Sequence, residues 1–294
     1  MASITSALRK WARITKNNRA KGLHQEFFAA AAFLIEEGNS EERIFELLRA
    51  AANTVDERIV PDREIRGAIR GAMQKVTSGE TTTRWPKLGE NYRAEIVAAY
   101  MDKGREMTSQ EASLSQEPAF YLEALYRPAN LVCGGYSAFE FVTRMRNEIR
   151  DYALNGVNFE YINPSPMSAF VGTNKDGAVS DHTENNTGPK VYQVVEFDTG
   201  AIQEHAAILA HLSKRLPLAL MVYSGGKSIH GWFYCKDAPL DFLTDFFSDA
   251  CSLGADPTLW SKSQFSRMPG MTNAKTRKRQ AVLYYNSEFT LNGK

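Results

Sequence analysis

A chain of 294 residues, 43% hydrophobic and 11% aromatic, holds enough apolar material for one large globular core or two smaller ones. No stretch approaches the roughly 18 consecutive apolar residues of a membrane span, and the opening MASITSALRKWARITKNNRAKG lacks the apolar region of a secretory signal. Three dispersed cysteines without a C-x-x-C pair argue against a zinc ribbon or a disulfide scaffold and fit a reducing cytoplasm, while a net charge of +1 says nothing for or against nucleic acid.

The first hundred residues read as helix. A basic arm, with six Lys or Arg and no acid between Arg9 and Lys21, leads into the alanine-rich HQEFFAAAAFLIEE. Asn39 with Glu42 three residues on resembles a capping box for a helix running to about Ala52. Pro61 stands near the start of a third helix, in which Ile65, Ala68, Ile69, Ala72 and Met73 fall at i, i+3, i+4 spacing. After the polar TSGETTTRWPKLGE comes a shorter helix, NYRAEIVAAYMDK, and then GREMTSQEASLSQE, polar enough to be a linker. We therefore expect an all-α domain over residues 1–108 and a second domain over 109–294.

The second domain alternates. PAFYLEALY predicts a helix, NLVCGGYS and FEYINPSP short strands, and VGTNKDGAVSDHTENNTGP a polar loop. KVYQVVEFDTG is a strong strand signal, followed by the helix IQEHAAILAHLSKRL, a hairpin around SGGKSIHGWF, a helix at about 240–253 and a last strand in QAVLYYN. The fold class implied is α+β, with a sheet of mixed direction.

Four stretches carry chemistry. In VVEFDTG the strand period aims Glu196 and Asp198 to one face, where paired carboxylates either reach solvent or share a divalent cation. Asp256, after the last helix, is a third carboxylate at a point where the chain re-enters a sheet. SGGKSIHGWF ends like a phosphate loop, but Met221 occupies the place of the leading glycine and the β-branched and aromatic IHGWF continues as strand. It is a glycine hairpin presenting Lys227, Ser228 and His230, either to a ligand or as structural polar residues. Between Pro257 and Ser287 there are again six basic residues and no acid, among them Arg267, Lys275, Arg277, Lys278 and Arg279. Such a stripe is a solvated surface or a phosphate track. The five histidines show no metal-ligand spacing, so zinc is not expected.

The order of these signals, E-x-D strand, helix, S-x-H hairpin, helix, Asp, then R-M-P-G-M-T-N-A-K, resembles the archaeo-eukaryotic primase superfamily, in the primase-polymerase branch of phages, plasmids and mobile elements. The likeness covers roughly residues 115–290. Glu stands where the first acid of that family is often Asp, and the connection from Asp256 to Arg267 is long. The helical region at about 22–75 is weakly similar to small domains that accompany these primases, usually on their C-terminal side. The resemblance implies a primase-polymerase catalytic domain making or extending primers on a single-stranded DNA template from NTPs or dNTPs, in the cytoplasm, with a separate replicative helicase. Glu196, Asp198 and Asp256 would ligate two Mg²⁺ or Mn²⁺ ions. Ser224, Lys227, Ser228, His230 and Arg267 would meet the nucleotide, and Asn273, Lys275, Arg277, Lys278 and Arg279 the nucleic acid. The same motifs suit an extension-only repair polymerase, and the same fold suits a non-catalytic replication module that binds DNA or nucleotide and recruits a helicase.

Overall fold

The computed structural model describes residues 27, 28, 30, 31, 34, 35, 39–52, 62–77, 85–174 and 176–292. Two compact units divide between Arg84 and Trp85. The basic arm at 9–21 and Pro61 lie outside the described residues.

The first unit is helical. The described residues from Phe27 to Ile35 are helical, followed by α1 (Glu41–Ala52) and α2 (Asp62–Thr77). Ile65, Ala68, Ile69 and Ala72 form the buried stripe predicted for α2 and share a core with Ile44 and Leu48 of α1. The cap of α1 is Ser40, whose Oγ accepts the Arg43 amide, rather than Asn39. Asn39 is engaged elsewhere: its side chain and its backbone N–H both donate to the Leu34 carbonyl and close the preceding helix.

The second unit begins with a helix that the sequence assigns to the first. α3 spans Glu90–Thr108 and continues as a 3₁₀ turn, Ser109–Ser113, through most of the expected linker. The physical reason is Gly104. A Cβ there would lie 2.6 Å from the Ala207 nitrogen, so α3 crosses a later helix, α6 (Ile202–Leu212), almost backbone to backbone. The hydrophobic pattern is weak because the contact face is small rather than apolar. The expected boundary at 108/109 thus falls inside this unit.

α4 (Pro118–Leu125) precedes a four-stranded sheet ordered β2–β1–β3–β9, made of β1 (Leu131–Gly135), β2 (Phe141–Met145), β3 (Tyr161–Ile162) and β9 (Ser266–Arg267), with α5 (Arg146–Leu154) following β2. Within the expected polar loop, β4 (Gly172–Thr173) and β5 (Val179–Ser180) form a small hairpin. The second four-stranded sheet is ordered β10–β7–β8–β6, from β6 (Tyr192–Val195), β7 (Leu218–Tyr223), β8 (Ile229–Tyr234) and β10 (Val282–Tyr285). α7 (Leu240–Ser252) follows β8.

Every ladder between these strands is antiparallel, where alternation of helix and strand predicts mixed pairing. The crossover β6–α6–β7 does return a strand running the same way. The tight β7–β8 hairpin then folds β8 into the gap between them, so each neighbour runs opposite. β7 and β8 are buried at every position except their last, and Trp232 and Phe233 of β8 and Phe246 and Phe247 of α7 are fully buried. That is the core on which the site is mounted.

Candidate functional site

β6 leaves the sheet at Val195, paired with Gly231 of β8, and the next position brings Glu196 across from His230. Period-two alternation decides what each strand shows. Gly231 faces α6, where a Cβ would collide with the Leu209 side chain, while Ser228 and His230 face away from it. The Ser228 hydroxyl donates to Glu196 Oε1 at 2.5 Å. His230 Nε2 lies 3.2 Å from the same oxygen, yet it is a buried nitrogen without hydrogen-bond alignment, so the approach is electrostatic. His230 Nδ1 faces the Ser266 hydroxyl at 3.1 Å, which brings β9 of the other sheet against the site. Burial pushes the Glu196 carboxyl up, but His230, the Ser228 hydroxyl and Arg267 outweigh it and hold it at about 2.

The other two acids border Glu196. Asp198 is largely exposed, and its Oδ1 lies 3.7 Å from Lys227 Nζ on the hairpin. The Asp256 amide donates to the Glu196 carbonyl at 2.9 Å, beside the antiparallel bridge Phe197–Ala255. Opposed residues of an antiparallel pair emerge on one face, so Glu196 and Asp256 are neighbours. The Asp256 carboxylate caps the 3₁₀ turn Pro257–Trp260, accepting from the Thr258 amide and hydroxyl.

The glycine turn is built from within. Ser224 Oγ accepts the amides of Gly226 and Ser228, and Gly225 has φ +73°, the left-handed region that a glycine occupies without strain. Asn273 is buried: its Nδ2 donates to the Ser224 carbonyl, and its Oδ1 accepts the amides of Lys275 and Thr276. It ties the basic hairpin, closed by the bridge Thr272–Arg279, to the glycine turn. Lys275, Arg277, Lys278 and Arg279 are exposed on that hairpin. Among the described residues, no carboxylate stands within ion-pair distance of these four cations. Arg267 is paired with the buried Glu160 and stacks over Tyr161 at 4.4 Å.

The acidic pair, the S-x-H hairpin, Asp256 and Arg267 therefore meet at one place, and the basic hairpin abuts the glycine turn. Sequence reasoning missed Glu160, Ser266, His205 and Arg93. Arg93 lies in the helix that the sequence assigns to the first unit, and Gly104, whose close approach to α6 seats that helix here, stands in the sequence only as the first residue of the expected linker. Hard divalent cations take carboxylate oxygens, and the donor set here is all carboxylate; among the described residues nothing hydrogen-bonds Glu196 Oε2. The chemistry suits such an ion, although no three His, Cys, Asp or Glu side chains of the described residues converge as a ready-made cage.

Compared with known proteins, the chain matches no family model, no curated protein and no solved structure. Among the described residues no helix is long and apolar enough to cross a membrane.

Proposed function

We propose that the second unit is a nucleotidyltransferase of the archaeo-eukaryotic primase type, which makes or extends primers on single-stranded DNA in the replication of a phage or mobile element. The observation that carries this reading is the direct contact between two motifs 32 residues apart, Ser228 Oγ on Glu196 Oε1, with Asp256 hydrogen-bonded to the backbone of the same glutamate.

Glu196, Asp198 and Asp256 would hold two Mg²⁺ or Mn²⁺ ions, whose chemistry when bound is to activate a 3′-hydroxyl and neutralise the departing pyrophosphate. The chain's own work is positioning. His230 Nε2, a buried nitrogen without an aligned partner, and the Ser228 hydroxyl would hold phosphate oxygens of the incoming NTP or dNTP. Lys227 and Arg267 supply positive charge on either side. The Ser266 hydroxyl at Nδ1 fixes the ring that presents Nε2. Lys275, Arg277, Lys278 and Arg279 would follow the template backbone. A helicase from another chain completes the replication machinery of this reading, which operates in the cytoplasm.

The test is synthesis on unprimed single-stranded DNA with labelled nucleotides, in Mg²⁺ and in Mn²⁺, comparing the native chain with Asp198→Asn. Short products from the native chain alone support initiation at this cluster. Extension only when a primer is supplied favours the repair-type polymerase. DNA binding without product in either format refutes catalysis and leaves a non-catalytic replication module.

A further inference from the structure

Arg93 is a buried arginine in the first turn of α3, 7% exposed. Its Nη1 donates to the Leu253 carbonyl at 2.9 Å and its Nη2 to the Thr199 carbonyl at 2.8 Å. Thr199 directly follows Asp198, and Leu253 precedes Asp256 by three residues. One rigid guanidinium therefore bridges the segment that carries Glu196 and Asp198 to the segment that carries Asp256. The Glu204 carboxylate lies 3.4 Å from Nη2, and the Phe197 ring centroid is 5.6 Å from the guanidinium carbon.

The backbone on both sides makes room for it. Gly200 (φ +108°) and Gly254 (φ +96°) flank the two carbonyls, and a Cβ at either would run into an Arg93 nitrogen. His205 Nε2 reaches the Thr199 carbonyl as well, at 3.0 Å, and the Gly89 amide holds the Ser252 carbonyl at 2.8 Å. The start of α3 thus grips both segments, while Gly104, far along the same helix, seats it on α6. A lysine carries one compact ammonium and lacks the planar fork that spans two carbonyls.

We propose that Arg93 is a positioning residue that sets the spacing between the Glu196–Asp198 segment and Asp256, and with it the cation affinity of the cluster. This rests on the reading of the three carboxylates as one cation site. Ligands that are oriented by an outer partner lose about 10–100-fold in metal affinity when that partner is removed.

The experiment uses the full chain as native protein, Arg93→Met, Arg93→Lys and Asp198→Asn, with Mn²⁺ alone as the probe. Mn²⁺ affinity is measured by electron paramagnetic resonance. Backbone exchange is followed by mass spectrometry over residues 194–200 and 252–258. The expected result is Mn²⁺ binding by the native chain, its loss in Asp198→Asn, and at least about tenfold weaker binding in Arg93→Met. Exchange should quicken in both segments while β7 and β8 keep their protection, and Arg93→Lys should fall between. Native affinity in Arg93→Met, or unchanged exchange in the two segments, overturns the positioning role alone. A native chain that does not bind Mn²⁺, or an Asp198→Asn chain that binds it equally, overturns the cation site and the inference with it. Should Arg93→Met fail to fold, Arg93→Lys carries the same comparison.

Discussion

Gly231→Ala tests the layer beneath the site. Gly231 pairs with Val195 on one side and Met221 on the other, and its Cα looks onto α6. An added methyl would collide with Leu209 Cδ2 and come within 3.0 Å of Cδ1 and 3.2 Å of Cγ. Leu209 is fully buried, so it yields only by leaving its rotamer or by moving the helix. Overpacking of this kind costs about 1–3 kcal/mol. Leu209→Ala removes the same three carbons and costs about 2–5 kcal/mol through the cavity it opens. In the double variant the new methyl enters that cavity, so the two losses should fall short of their sum by about 1 kcal/mol or more. Urea denaturation of the four chains, analysed by linear extrapolation, measures this. Gly231→Ala within about 0.5 kcal/mol of the native chain, or strict additivity in the double variant, refutes the argument. Since His230 lies next to Gly231 on the opposite face, Gly231→Ala should also lower primer synthesis by more than its unfolded fraction explains.

Three further outcomes follow from the site and its surroundings. His182 stacks on Phe265 at 4.0 Å and takes the Asn163 amide on Nε2, so the folded ring is neutral and burial lowers its pKa from 6.5 to about 4. The unfolded chain takes up the proton first: stability is intact above pH 6.5 and falls by on the order of 3 kcal/mol towards pH 4. Denaturation of His182→Gln should flatten that limb, and an unchanged limb would assign it to another group. Replacing Lys278 and Arg279 by Ala should reduce the slope of log affinity against log salt for single-stranded DNA by about 0.7 for each phosphate that the hairpin then leaves unneutralised; an unchanged slope would remove the hairpin from the nucleic-acid path. Ser266→Ala strands His230 Nδ1 in a buried position at a cost of about 1–3 kcal/mol. Primer synthesis should fall about tenfold or more at saturating nucleotide, and native activity would show that the ring needs no such partner.

What could be read from the sequence was local. The E-x-D strand and the S-x-H hairpin are period-two patterns interrupted by glycine, and a strand's alternation places their side chains without reference to the rest of the chain. Asp256 was legible for its position after α7, though nothing in the sequence shows it hydrogen-bonded to the Glu196 backbone. The residues that complete the site come from elsewhere in the chain. Ser266 meets His230 across 36 residues, Arg93 meets Thr199 across 106, and Glu160 meets Arg267 across 107. None belongs to a spaced motif. Asn273 illustrates the converse: it stands in a recognisable stretch, and its amide is engaged within the protein, Nδ2 on the Ser224 carbonyl of the glycine turn and Oδ1 on two amides of its own loop. β2 and α5 also escaped the sequence reading, since FVTRM is short and its Thr143 and Arg144 break the apolar pattern.

Under the proposed reading, the pairing within the site has a thermodynamic consequence. In this structure the side chains proposed to hold phosphate rest on the carboxylates proposed to hold cations: Ser228 and His230 on Glu196, and Lys227 near Asp198. A triphosphate brought in alone would compete with Glu196 for its donors and face three carboxylates. A cation brought in alone would bind carboxylates that still share their present partners, and so more weakly than beside a phosphate. Together they exchange partners, carboxylate to cation and donor to phosphate, so no charge is left unmatched around the partly buried Glu196, where Coulomb terms are larger than in water. Nucleotide and cation must then each bind more tightly in the presence of the other, by the same factor in both directions. The low Glu196 pKa belongs to the same balance. Its donors keep the carboxylate ionised at neutral pH, so a cation meets a formed negative ligand and has no proton to displace.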